Sequence, residues 1–310
     1  MVGAAQGTGC SLVSDVAALK DPSETVYLVT GAAGMLGQDV QKALAGRTVI
    51  AKDRTELDIT DAAAVAEALK GVDVVINCAA YTNVDGAEDD REGAMRVNAE
   101  GPAVLAEACA TAGATLVHYS TDYVFKGDAS SPYPEDGAYD PINVYGESKA
   151  EGEKAVTAGN GAKSYIIRAA WLYGAGGPNF AKTMARLAAT KPEISVVNDQ
   201  LGQPTSTADL AAQTVRLLDA GAPAGIYHGT NSGQATWFEF AQEIFEAAGY
   251  PRANVKPTDS ASFPRPAARP AYSVLGHDAW TRAGIPEMRD WREAFHDAVA
   301  QGLLEDEASA

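Results

Sequence analysis

At 310 residues, 46% of them hydrophobic, the chain is long enough to bury a large core and to carry a second lobe. Its formal net charge of −17 excludes a general binder of nucleic acid or of anionic membrane, because either task needs a basic surface to neutralise phosphates. The three cysteines, Cys10, Cys78 and Cys109, are widely spaced and outside any Cys-x-x-Cys arrangement, so they suggest neither a disulfide framework nor a zinc site and fit a reducing cytoplasm.

Residues 1–24 are small and polar with turn-formers, and a loosely ordered extension or linker is expected there. No apolar run approaches the ~20 residues that span a bilayer, and Asp15 interrupts the only early apolar stretch, which lacks a basic leader. Neither export nor membrane insertion is expected. From Thr25 onward, β-branched runs at 25–29, 48–51, 72–78, 115–119 and 165–167 alternate with helical periodicity at 35–45, 62–70, 87–112 and 144–157. Such alternation predicts an α/β fold built on a doubly wound parallel sheet, with ligands at the carboxyl ends of its strands.

After Trp171 the alternation lapses into Gly/Pro-rich connections, with helices expected at 180–189, 207–220, 236–248 and 290–303. The division expected is a dinucleotide-binding part over 25–170, a return to the sheet within 207–231, and a smaller substrate lobe over 171–206 and 232–304. An acidic, solvated tail follows at 305–310.

The first strand runs through Thr30-Gly31-Ala32-Ala33-Gly34-Met35-Leu36-Gly37 directly into helix. Glycines at such a turn let backbone approach a pyrophosphate, whose charge is favoured by the amides and dipole of the helix start. Gly31, Gly34, Met35, Leu36 and Gly37 are therefore candidate cofactor contacts. Asp53, at the end of the second strand, is placed to hold the adenosine ribose, while Arg54 beside it suits a 2′-phosphate, so NADH and NADPH both remain open. Asp58 and Ile59, and Ala80, Tyr81 and Thr82 after the third strand, are expected at the cofactor edge. The alternative for Asp53 and Asp58 is a capping or turn carboxylate, and Cys78 reads as a small core residue.

Tyr145 and Lys149 stand four apart on one helical face, where an ammonium beside a phenol of ordinary pKa ~10 favours the phenolate and suits the pair to proton donation. Ser120-Thr121-Asp122-Tyr123-Val124-Phe125 follows a strand, so its hydroxyls emerge at the ligand-facing sheet edge. The glycine turn, Asn77-Cys78-Ala79-Ala80, the Ser-Thr-Asp segment and Tyr145-x-x-x-Lys149 together resemble the extended short-chain dehydrogenase/reductase family, whose sheet is Rossmann-like.

Within that family the chain is similar to the dTDP-4-dehydrorhamnose reductases, through segments 118–125, 143–147, 168–174, 179–184, 198–205 and 269–273. The resemblance implies hydride transfer from NAD(P)H to the C4 keto group of dTDP-4-dehydro-6-deoxy-L-mannose. Tyr145 would protonate the developing alkoxide, Lys149 would position the ribose and lower the phenol pKa, and Thr121 would hydrogen-bond the keto oxygen. Asp122 and Trp171 match positions that touch the sugar nucleotide.

An anionic substrate must still find cations, and Lys182 with Arg186 on one helical face, and Arg265 with Arg269 in a Pro-rich loop, are the candidate diphosphate contacts. Some relatives hold magnesium through interface carboxylates. Asp39 and Asp209 fall near the matching places, but both are short and read better as solvated helix residues. The four histidines have no metal spacing; His118 and His228 read as satisfied core residues. A monomer or homodimer in the cytoplasm is expected. Two other functions stay open, a sugar-nucleotide epimerase of the same fold and a regulatory subunit like that of methionine adenosyltransferase, and the intact Thr121, Tyr145 and Lys149 count against the second.

Overall fold

Five of the β-branched runs become Val26–Thr30 (β1), Thr48–Lys52 (β2), Val74–Asn77 (β3), Thr115–Thr121 (β4) and Ser164–Ala169 (β5) in the computed structural model, which describes residue 21 and residues 23–305. A sixth strand, Gly225–His228, pairs with β5, and the order across the sheet is sixth strand, β5, β4, β3, β1, β2, all parallel. The chain steps from β1 outward to β2 and then back across to β3. That reversal opens a crevice at the carboxyl ends of β1 and β3.

Both sheet faces are covered, which is why β3, β4 and β5 are buried along their whole length. Val29, Ile76 and Val117 pack with Val40, Leu44, Leu210 and Leu217 on one side, whereas Leu28, Val75 and Leu116 pack with Val65, Leu105, Cys109 and Val156 on the other. A separate cluster forms where helices Phe180–Thr190, Trp237–Ala247 and Trp291–Ala300 bring together Met184, Phe240, Phe245, Trp291 and Phe295 around Tyr173.

One expected element differs. The single helix at 87–112 is broken into Gly86–Asp89, Arg91–Met95, a wide π turn at Arg96–Glu100 and Gly101–Ala112. Asp90 caps the second piece, and the wide turn swings Asn98 inward, where its amide takes both polar groups of the Tyr81 backbone at 2.9 Å. Most of the expected N-terminal extension, Cys10, and the tail beyond Glu305 lie outside the described residues. Among those described, no helix is long and apolar enough to cross a membrane.

Candidate active site

At the crevice between β1 and β3 lies a cleft of about 750 Å³ lined by Gly31, Gly34, Asp53, Arg54, Asp58, Ile59, Ala80, Tyr81 and Thr82. These nine expected residues are thus brought together. Gly31 has φ +64°, and a Cβ there would lie 2.6 Å from the Ala79 amide nitrogen, so both its conformation and its closeness to the β3 loop require glycine. The helix that follows, Met35–Ala43, starts at Gly34 with no side-chain cap, whereas Asp61, Asn143, Asn179, Ser206, Thr236 and Asp290 each cap a helix of their own. Its first amides are left for an anion.

The side chains just inside this helix do other work. Leu36 belongs to the sheet-covering core, Gly37 packs where a Cβ would meet the Gly31 carbonyl at 2.4 Å, and Met35 turns toward residues 174–179. Expected as cofactor contacts, Leu36 and Gly37 can offer only backbone. Asp53 Oδ1 accepts from the Thr55 amide and hydroxyl at 2.7 Å, and Asp58 Oδ1 accepts from the Thr60 hydroxyl at 2.7 Å, so both are turn carboxylates on the cleft wall.

Helix Val144–Asn160 carries Tyr145 and Lys149, and its Asn143 cap accepts from the Gly146 amide at 2.8 Å while donating to the Ala268 carbonyl at 2.9 Å. Tyr145 keeps part of its surface open, yet burial pushes its phenol up to about 12, with the neighbouring Thr121 hydroxyl pulling it down. Lys149, expected to acidify the phenol, is not among the groups that move it. Lys149 Nζ, fully buried, donates to the Tyr119 carbonyl at 2.6 Å, and burial pushes the lysine down to about 8 while Glu153 holds it up.

Behind Lys149 a chain of polar groups leads to the cofactor cleft. Asn77 Oδ1 accepts from the Ala79 amide at 3.1 Å and from Thr30 at 2.7 Å, which fixes the amide so that its nitrogen faces His118 Nδ1 at 3.0 Å. The buried imidazole therefore bears its hydrogen on Nε2, 3.4 Å from Lys149 Nζ, and burial followed by the lysine charge keeps it far below the usual histidine range. His118 offers Lys149 no acceptor, so the ammonium keeps hydrogens for a ligand.

Thr121 ends β4 and donates to Asp122 Oδ1 at 2.9 Å, while accepting from the Tyr123 amide at 3.2 Å. Tyr123 meets Tyr145 edge-on at 5.6 Å and also lines a second cavity, of about 660 Å³, with Phe180, Thr183, Met184, Leu187, Trp237, Phe263, Arg265 and Arg269. Thr121, Tyr123 and Tyr145 thus stand beside an apolar cavity edged by two guanidiniums, while Lys149, one turn along the Tyr145 helix, lies next to the His118–Asn77 pair at the glycine-lined cleft.

The match to known proteins covers the same ground. Residues 25–303 fit the family model described as the RmlD substrate binding domain. The chain belongs to that family. Members similar to it include a dTDP-4-dehydrorhamnose reductase of Streptomyces griseus, 49% identical over 88% of this chain and 92% of the relative. One of Mycolicibacterium smegmatis is 47% identical over 88% and 84%. Among solved structures, a dTDP-4-dehydrorhamnose reductase of Bacillus anthracis in complex with NADP superposes with a TM-score of 0.86 at 40% identity, over 90% of this chain and 99% of that one.

Phe180, Thr183, Met184 and Leu187 form the helix face on the cavity, so Lys182 and Arg186 share a flank turned away from it, and Lys182 donates to the Ala175 carbonyl at 3.0 Å. Trp171 has φ +46° and one face stacked on Trp237, with centroids 3.6 Å apart. Asp39 and Asp209 are not the solvated carboxylates expected. Asp39 is buried, accepting from Thr207 at 2.5 Å and pairing with Lys42 at 2.8 Å, and Asp209 is gripped by Arg289 at 2.8 Å. His118 and His228 are buried, as expected, whereas Cys78 is half-buried on the wall of the glycine-lined cleft, and its surroundings push the thiol far up.

Asn98, Asp85 and Trp237 were not singled out from the sequence. Only Asn98 left a signal there, since Gly101-Pro102 inside so long an expected helix marks a break.

Proposed function

We propose that this protein reduces the C4 keto group of dTDP-4-dehydro-6-deoxy-L-mannose to give dTDP-L-rhamnose. The observation that carries this reading is the convergence of Thr121 and Tyr145 at the carboxyl edge of β4, between the glycine-lined cleft and the cavity edged by Arg265 and Arg269. In this reading 25–170 with the return at 207–231 binds the cofactor, and 171–206 with 232–304 forms the substrate lobe.

A bound nicotinamide supplies the hydride. The uncapped helix start and Gly31 and Gly34 would hold its pyrophosphate, Asp53 and Arg54 would meet its adenosine end, and Lys149 would give its unspent hydrogens to the ribose. Asp53 already serves its own turn and Arg54 offers a cation for a 2′-phosphate, so NADPH is the reductant of this proposal and NADH the alternative. Asp39 and Asp209 are engaged, and magnesium has no part in the scheme.

Tyr145 enters as a neutral phenol, and with its proton held up to about 12 it still gives that proton readily to an alkoxide, which is far more basic. Thr121 shares the charge on the keto oxygen, and Asp122 and Trp171 meet the sugar. We place the enzyme in the cytoplasm, as a monomer or homodimer.

Incubation with the ketosugar should consume NADPH stoichiometrically and yield the rhamnosyl product by NMR. Tyr145→Phe should keep cofactor affinity while losing turnover by ~10²-fold or more, as removal of a general acid does. Conversion of sugar without loss of NADPH would instead indicate an epimerase.

A further inference from the structure

One carboxylate of the cofactor-binding part gathers four donors from a single stretch of the substrate lobe. Asp85 Oδ2 accepts from Arg265 Nε at 3.0 Å and Nη2 at 2.6 Å. Its Oδ1 faces Arg269 Nη2 at 3.0 Å and the Ala267 amide at 3.3 Å. Burial works against ionisation of Asp85, but this set of partners holds it below the usual carboxylate range.

Asp85 lies three residues beyond Thr82, in the loop whose Tyr81, Thr82 and Asn83 line the cofactor cleft. The stretch it grips is pinned again at its far end, where Asp199 accepts from the Ser260 amide and hydroxyl, both at 2.8 Å. Between the two pins stands Phe263, 54% exposed and lining the apolar cavity with both arginines.

The charges and valences say what this grip does. Two guanidiniums side by side repel each other, and long side chains on a Pro-rich loop lose entropy when fixed; one shared carboxylate offsets both costs. It neutralises only one of the two cations, which leaves a net positive charge at the cavity edge of a strongly acidic protein. Among the described residues, Arg265 Nη1 and Arg269 Nε have no protein acceptor, so each arginine keeps a donor to spend.

We propose that Asp85 is a positioning residue for the sugar nucleotide: by holding Arg265 and Arg269 from across the lobe boundary, it aims their unspent donors at the diphosphate. This rests on the reading of the two arginines as diphosphate contacts. Asp85 itself does not touch the substrate.

The test is calorimetric binding of dTDP to the full chain, with steady-state kinetics alongside. Asp85→Asn should weaken dTDP about tenfold or more, the scale of charge-assisted hydrogen bonds, and raise KM for the sugar nucleotide while kcat holds. Asp85→Glu should recover part of the loss and serves if the asparagine variant folds poorly. Arg265→Gln with Arg269→Gln should weaken dTDP by at least as much, and adding Asp85→Asn to that pair should cost nothing more, because the carboxylate acts only through the arginines.

Normal or tighter dTDP binding by Asp85→Asn, with the arginine pair still needed, overturns the positioning role and leaves the arginine contacts standing. A further loss in the triple variant overturns it as well. Unchanged dTDP affinity in the arginine variants removes the contacts themselves, and this inference with them.

Discussion

Asp122 shows how a site residue can cost the free protein stability. Its Oδ1 accepts the Thr121 hydroxyl, its Oδ2 is buried with no hydrogen-bond partner among the described residues, and burial pushes the carboxyl up to about 6 against the pull of the Ser273 and Thr121 hydroxyls. The ordinary value is 3.8, so the fold prefers the protonated acid. The sign follows from linkage. A raised folded value contributes stability that is complete below 3.8 and lost as pH rises through about 6. At neutral pH the ionised group is therefore a burden of roughly 2–3 kcal/mol. Asp122→Asn should be more stable than the parent above pH 6 by about that amount, with the difference closing as pH falls toward 3.8, in urea denaturation at a series of pH values. Parallel stability curves at all pH values would show that the carboxyl titrates normally. The same substitution should impair turnover, since stabilising a strained site residue commonly costs function.

At the scale of elements, the sheet was legible because β-branched runs alternating with helical periodicity leave few alternatives, and β1 to β5 fall within a few residues of the expected runs. The glycine turn and the Tyr145–Lys149 helix were legible for the same local reason. Directions of side chains were not. Periodicity puts Lys182 and Arg186 together but does not say which face meets the cavity, and no spacing rule pairs Asp85 with residues 180 and more positions away. Trp171 and Trp237 are likewise distant in sequence. They are joined by two-residue strands, Leu201–Gly202 and Ala235–Thr236, which pair so that Gly202 abuts one part of the Trp171 indole while Trp237, next after Thr236, covers a face. A Cβ on Gly202 would lie 2.6 Å from Trp171 Cε2. Gly202→Ala must therefore displace an indole held at positive φ and stacked on its neighbour. The expected result is a KM for the sugar nucleotide raised by ~10-fold, the effect of about 1.4 kcal/mol of lost contact, with the KM for the reduced cofactor unmoved. An equal rise in both would point to a general loss of fold instead.

Across the whole molecule, the joint between the sheet, helix Val144–Asn160 and the segment around Ala279 is a buried ion pair. Tyr145, Lys149 and Glu153 follow one another at four-residue spacing, so the helix that presents the proposed proton donor also sends a carboxylate into the interior. Glu153 meets Arg168 of β5 at 2.8 Å with both side chains fully buried, and it accepts from Ser120 at 2.5 Å and Tyr139 at 3.0 Å. Arg168 continues the connection by donating to the Glu135 carbonyl at 3.0 Å, and the Glu135 carboxylate takes the Ala279 amide at 2.7 Å on the far side. One guanidinium thus ties the β4–β5 edge to the segment that packs under the sixth strand. Desolvating such a pair is costly, so its worth lies in completeness: every partner must be present for the charge to be tolerated. Glu153→Gln keeps the shape and removes the charge, stranding Arg168 in the core. Stability should fall by about 3–5 kcal/mol in urea denaturation, because a lone buried cation costs far more than an exposed one. The same change withdraws the charge that holds Lys149 up, so its titration should move further below about 8. A loss under about 1 kcal/mol, the range of exposed pairs, would mean that water reaches Arg168 and that the lobes are joined by packing alone.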